Sequence, residues 1–276
     1  MRQWLKVSQM FSYQLLSKTP VDLLVLHQLN PQRYPFLLES VAAGHSHARF
    51  DILFAFPQQT IVLDAQYDLW VDGHKTHHNN FLDQLDMSWQ QARQPRSVAI
   101  DIPFRGGWFV YLGYELVQQI EATLTLPAAT DDFPTAFAVR LPAAFVQDHL
   151  LGQTYLVAEH AFSDLLSEMQ CDFSQLDMHQ PVQCQSPVDI VLIEEEASIY
   201  LNNIEKILTY IKNGDVFQVN LSRQWRGILP VEHSIIDLYA KLREQNPAPF
   251  SGLVHWGDSY IVSSSPERLV KVTADK

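Results

Sequence analysis

SIYLNNIEKILTYIKNGDVFQVNLSRQW, residues 198–225, sets two periodicities end to end. Its first half puts Tyr200, Ile204, Ile207, Leu208 and Ile211 on one helical stripe, three or four residues apart. Gly214 falls where a left-handed C-cap belongs, a conformation that a residue without Cβ adopts freely. Beyond it, residues 216–225 read as a strand. Glu194, Glu195 and Glu196 precede the helix, where carboxylates meet the positive end of its dipole. Metal ligation is the alternative that this acidic run leaves open.

The same mixture extends in both directions. Downstream, residues 233–245 form a helical pattern with Ile235, Ile236, Leu238, Tyr239 and Leu242 inward, ended by Pro247 and Pro249. Residues 252–256 and 259–264 read as a hairpin turning at Gly257-Asp258. Upstream, the aromatic run 50–56, closed by Pro57, and residues 60–63 read as strands. Residues 72–80 are a polar loop, and 81–93 carry Phe81, Leu82, Leu85 and Trp89 at helical spacing. Further strands are expected at 108–112, 136–146 and 154–158. Strands mixed with helices in this order predict an α+β layered fold rather than a wound βαβ sheet. Residues 171–187 are polar and aperiodic with two prolines, which predicts a linker and two domains, 1–187 and 188–276.

Composition narrows the function. The 276-residue chain is 47% hydrophobic and 18% charged, enough apolar material for a sizeable core. Its net charge of -12 argues against a nucleic-acid groove or an anionic membrane surface as partner. Two cysteines, Cys171 and Cys184, lack metal or disulfide spacing and suit a reducing cytoplasm. Neither a signal peptide nor an apolar run of the ~20 residues that span a bilayer is evident. His74, His77 and His78 share the polar loop without a carboxylate or cysteine at matching spacing, so they read as solvated. Gly106-Gly107 lacks the frame of a phosphate loop and reads as a tight turn. Asp215 and Gln218 read as structural.

Four segments in order resemble the anthranilate synthase and aminodeoxychorismate synthase component I family. They are Phe36-Leu-Leu-Glu-Ser40 with Arg49-Phe-Asp51; Phe104-Arg-Gly-Gly107 with Leu112-Gly-Tyr114; Gly214-Asp-Val-Phe-Gln-Val-Asn-Leu-Ser222; and Asn246-Pro-Ala-Pro-Phe-Ser251 with Ser263-Ser-Ser-Pro-Glu-Arg268. Asn220 and Ala248-Pro-Phe-Ser251 resemble the para-aminobenzoate branch, so aminodeoxychorismate synthase component I is the leading expectation. Anthranilate synthase component I is the close alternative, and a non-catalytic amino-acid-binding or docking module is the third reading.

The resemblance implies that chorismate is bound with Mg²⁺ and aminated, the ammonia coming from a glutamine amidotransferase subunit. A ring hydroxyl leaves only when protonated, and the resemblance gives that acid role to Glu267. Pro266 restrains the backbone beside it. The para-aminobenzoate branch also uses a lysine nucleophile in a Pro-Ile-Lys-Gly motif. This sequence has none, and neither Lys271 nor Lys276 has the flanking pattern. The Mg²⁺ ligands are likewise expected beyond residue 276, so the layered fold is expected to be incomplete at its C-terminus and the chain inactive by itself. The resemblance further implies a tryptophan-type pocket of Ser40, His47, Ala48, Arg49, Phe50, Pro249, Phe250 and Ser251. A hydroxyl and backbone groups would face the amino acid's polar end, with Phe250 and prolines against the indole. A simple packing seam is the other reading of those residues.

Overall fold

A computed structural model describes residues 11–42, 48–93, 101–127, 131–176 and 190–272. Its strands and helices are, in chain order, β1 (Phe11–Ser17), α1 (Leu24–Leu29), β2 (Phe36–Glu39), β3 (Phe50–Ala55), β4 (Thr60–Leu63), β5 (Leu69–Val71), β6 (His74–Lys75), α2 (Phe81–Ala92), β7 (Gly107–Leu112), α3 (Val117–Ile120), β8 (Ala136–Leu141), β9 (Ala143–Asp148), β10 (Gln153–Glu159), α4 (Leu165–Ser174), β11 (Leu192–Glu194), α5 (Ala197–Asn213), β12 (Trp225–Gly227), α6 (Ile235–Gln245), β13 (Phe250–Trp256) and β14 (Ser259–Ser265).

The chain divides into two compact units, Met1–Gln183 with Leu242–Lys276, and Cys184–Lys241. The expected break near 187 falls in residues 177–189, which lie outside the described residues. The expected continuous second domain, 188–276, is corrected: β13 and β14 leave it and complete a sheet begun by the N-terminal strands. Hydrogen bonding decides this, because β13 pairs with β2 on one side and β14 on the other.

The first unit holds two antiparallel sheets, ordered β1-β10-β9-β3-β2-β13-β14 and β6-β5-β4-β8-β7. Alternation along the strands explains their packing. Phe36 of β2, Phe54 of β3 and Val254 of β13 point to the same cluster as Phe137, Val139 and Leu141 of β8. Phe36 stacks on Phe109 with centroids 4.2 Å apart, and Phe137 stacks on Trp256 at 4.1 Å. Each contact joins one sheet to the other. Such aromatic pairs add about 0.5–1.5 kcal/mol each beyond the area they bury.

On the outer face of the smaller sheet, Ile61, Leu63, Ala136 and Ala138 receive Phe81 of α2. That helix starts where Asn80 Oδ1 accepts the Asp83 N–H at 3.0 Å, which satisfies one orphan donor of its first turn. On the larger sheet, Phe145 packs edge-on against Tyr34, whose hydroxyl donates to Asp172 of α4 at 2.5 Å. Arg33 Nη1 donates to the same carboxylate at 2.6 Å. Desolvation, then the Tyr34 hydrogen bond to Asp172, push the Tyr34 phenol upward from its ordinary value, while Arg33 opposes the rise.

Residues 171–174, expected in the linker, are the last turn of α4, and residues 177–189 lie outside the described residues. The polar loop 72–80 contains the short strand β6. In the second unit, α5 ends as expected at Gly214 (φ 81°), whose N–H caps Ile211 and Tyr210. The strand expected over 216–225 shrinks to β12, paired with β11 alone. Phe217 is 95% exposed. With no neighbouring strand against 216–224 among the described residues, β-favouring side chains alone do not hold a ladder.

Gly106 makes the turn into β7 at φ +99°, and a Cβ there would fall 2.0 Å from Glu159 Oε1. Glu159 is buried and ion-paired with Arg140, whose Nη1 also donates to Gly107 O at 3.0 Å. Gly106→Ala is expected to cost about 2–4 kcal/mol, combining left-handed strain with displacement of a buried ion pair. Urea denaturation of the variant against the parent measures it.

Candidate functional site

The short β2–β13 ladder sets Glu39 opposite Ser251 and Leu38 opposite Gly252. Just past β2 the chain turns, and the N–H groups of Val41 and Ala42 both donate to Ala248 O, at 3.0 and 3.3 Å. Ser40 thereby lies beside the 248–251 segment, although more than two hundred residues separate them. Its hydroxyl donates to Phe50 O at 3.0 Å and its N–H to Asp51 Oδ1 at 2.7 Å.

Of the residues expected in the pocket, Ser40, Ala48, Arg49, Phe50, Pro249, Phe250 and Ser251 therefore gather at one end of neighbouring strands β3, β2 and β13. His47 lies outside the described residues. The Arg49 guanidinium sits 4.4 Å over the Phe50 ring and Arg268 sits 5.0 Å over Phe250. Ser251 is buried and its hydroxyl reaches Ala248 O at 3.3 Å.

Charges beneath this corner are matched. Arg243 of α6 donates to Glu39 at 2.9 Å and to Asp22 at 2.6 Å. Arg49 donates to Asp148 at 2.9 Å and to Asp101. His149 Nε2 meets Asp51 Oδ2 at 2.7 Å. That hydrogen bond raises the imidazole from its ordinary value of 6.5; burial opposes the rise, while the Asp51, Glu39 and Asp148 charges reinforce it.

Sequence reasoning quoted Asp51 but gave it no role, and it passed over Gln147 and His149. One signal was available for Asp51. It occupies the same strand face as the fully buried Leu53, where an acid must find a partner. Gln147 and His149 carry no local signal.

Glu267 stands in an exposed turn just after β14, its carbonyl accepting from Ser265 Oγ at 3.1 Å. Across the hairpin, Ser265 pairs with Phe250, so the Ser-Pro-Glu-Arg turn adjoins the Ser40 corner. Glu196 forms the N-cap of α5 without a side-chain capping bond, and Glu194 pairs with Arg223 at 2.7 Å. His78 is exposed and bonds Gln84 at 3.0 Å. Among the described residues, no three His, Cys, Asp or Glu side chains cluster as a metal site would require, and no helix is long and apolar enough to cross a membrane. An open apolar groove of about 270 Å³ lies between α2 and β7, lined by Leu82, Leu85, Asp86, Trp89, Trp108 and Val110.

A family model described as chorismate binding enzyme matches residues 34–276, nearly the whole chain. The chain belongs to the chorismate-binding enzyme family. Anthranilate synthase component 1 of Pseudomonas aeruginosa is 28% identical over 280 residues, covering 95% of this chain and 56% of that protein. Aminodeoxychorismate synthase component 1 of Klebsiella aerogenes is 27% identical over 251 residues, covering 88% and 53%. The crystal structure of anthranilate synthase component I from Streptococcus pneumoniae superposes with a TM-score of 0.66 at 24% identity, over 82% of this chain and 52% of that one. This likeness shows the layered α+β fold. The chorismate-binding enzyme chain spans about half the length of the curated relatives it matches.

Because folding raises the His149 value, the stability supplied by the His149–Asp51 pair is fully present below the ordinary histidine value of 6.5. It is lost as pH rises through the higher folded-state value. Thermal unfolding midpoints followed upward from about pH 6 should fall in the parent and stay flatter in His149→Gln.

Proposed function

We propose that this chain acts as part of an enzyme that aminates chorismate, with anthranilate synthase component 1 as its template. The supporting observation is the family match across residues 34–276, together with relatives that mostly bear that name. A second reading, synthesis of aminodeoxychorismate for para-aminobenzoate, is favoured by Asn220 and Ala248-Pro-Phe-Ser251 and by the Klebsiella aerogenes relative. In both readings Glu267 protonates the departing ring hydroxyl, and ammonia arrives from a glutamine amidotransferase partner. Mg²⁺ finds no ligand cluster among the described residues, so no step is assigned to it here.

The Ser40 corner is the proposed seat of an aromatic amino acid, tryptophan by the family resemblance. Ser40 and the neighbouring backbone suit the zwitterionic end, and Phe250 with Pro249 suits the ring. Calorimetric titration of the purified chain with L-tryptophan should show saturable binding. Ser40→Ala should weaken it about ten-fold, the loss of one hydrogen bond to a charged group. Absence of heat at millimolar ligand would remove the pocket.

The isolated chain given chorismate, Mg²⁺ and ammonia is expected to form no product. Joined to the segments that its longer relatives carry, it should turn chorismate over. Chromatography then separates the two readings: anthranilate supports the first and aminodeoxychorismate the second. Product from the isolated chain would refute the expectation of inactivity.

A further inference from the structure

Asp51 is 6% exposed, and its two oxygens serve three donors. Oδ1 accepts from the Ser40 N–H at 2.7 Å, while Oδ2 accepts from Gln147 Nε2 at 3.2 Å and from His149 Nε2 at 2.7 Å. Gln147 is anchored in turn, its Oε1 accepting from the Val21 N–H at 2.6 Å and from Thr154 Oγ1 at 3.3 Å. The His149 backbone N–H donates to Arg49 O at 2.8 Å, which ties its main chain beside the start of β3. The Ser40 N–H and hydroxyl are thus held by neighbours on β3, the first by Asp51 and the second by Phe50 O. The hydroxyl oxygen keeps lone pairs for an incoming donor such as an ammonium.

We propose that Asp51 is the positioning residue of the Ser40 pocket and that His149, its ion-pair partner, makes amino-acid binding there depend on pH. This rests on the pocket reading given above and adds to it the groups that hold the pocket's shape.

The surrounding charges isolate this pair. Three carboxylates act on His149: Asp51 from β3, Glu39 from β2 and Asp148 from its own strand end. Glu39 is neutralised by Arg243, which also holds Asp22, and Asp148 by Arg49, which also holds Asp101. Asp51 accepts from Ser40, Gln147 and His149, and among these partners protonated His149 is the cation that compensates it. When His149 loses its proton, the buried carboxylate keeps neutral donors only. The Ser40 corner then loses its strongest restraint, and the local field turns against a ligand carboxylate. Binding therefore weakens as pH rises. The expected size is about five-fold, the difference between a charged and a neutral hydrogen bond at a partly exposed site.

The test is calorimetric titration of the chain with L-tryptophan at about pH 6 and about pH 8, the range in which histidine changes charge. The parent should lose about five-fold in affinity across that range. His149→Gln should bind with one affinity at both values, and His149→Lys, charged throughout, should keep tight binding at both. Asp51→Asn should bind about ten-fold more weakly at both, with an unchanged circular dichroism spectrum. If Asp51→Asn does not fold, the half-exposed His149 variants decide. Tryptophan binding with equal affinity at both pH values in the parent would overturn the inference and leave the pocket standing. So would a His149→Gln variant that keeps the parent's slope. Asp51→Asn that folds and binds like the parent would overturn the positioning role. No binding by the parent at either pH would remove the pocket and this inference together.

Discussion

The antiparallel ladder between β2 and β13 is the constraint on which the first unit depends. It joins Phe36–Glu39 to the stretch from Ser251 to Val254, closing a loop of more than two hundred residues. Loop-closure entropy grows only logarithmically with length, so a short ladder suffices when its side chains are well buried. Phe36, Leu37 and Leu253 are almost completely shielded from solvent, and Val254 nearly so. Phe36 and Trp256 then carry the ladder into the second sheet through their stacks on Phe109 and Phe137. Backbone pairing brings the strands together, and the aromatic layer fixes which face looks inward.

The same ladder assembles the chemistry. The Leu-Glu-Ser end of β2, the Arg-Phe-Asp start of β3 and the Pro-Phe-Ser start of β13 meet because their strands are neighbours. The hairpin from β13 to β14 then delivers Glu267 next to that corner. An acidic chain of net charge -12 also has to manage carboxylates at this crowded end. It does so by pairing: Arg243 takes Asp22 and Glu39, Arg49 takes Asp148 and Asp101, and His149 takes Asp51. The more buried of these pairs add little net stability, yet removing one partner strands a charge, so they specify geometry more than they strengthen it.

Much of the secondary structure was legible in short windows. The helix now called α5 and its glycine cap, the helix at 235–245, the 257–258 turn and the strands at 50–55 and 60–63 all follow from local periodicity and turn chemistry. Residues 216–224 show where that reasoning stops, since their apolar alternation has no partner strand among the described residues. The two-residue β6 is too short to have a period. Among the site residues, Ser40, Arg49, Phe50, Pro249, Phe250, Ser251 and Glu267 were named through resemblance, whereas Gln147 and His149 were not. Their roles depend on Asp51, about a hundred residues away.

What the sequence determined by itself was the inventory: strands with inward aromatic faces, amphipathic helices of which one ends in a glycine cap, and an ordered set of motifs placing the chain among the chorismate-binding enzymes. Those properties are local, set by side-chain volume, backbone freedom and spacing within a dozen residues. The tertiary structure alone decided that β13 and β14 return to the N-terminal sheet, and that Asp51 is shared among Ser40, Gln147 and His149. Strand pairing and buried hydrogen bonds are selected by the competition among all distant partners, a choice that no local window of residues contains.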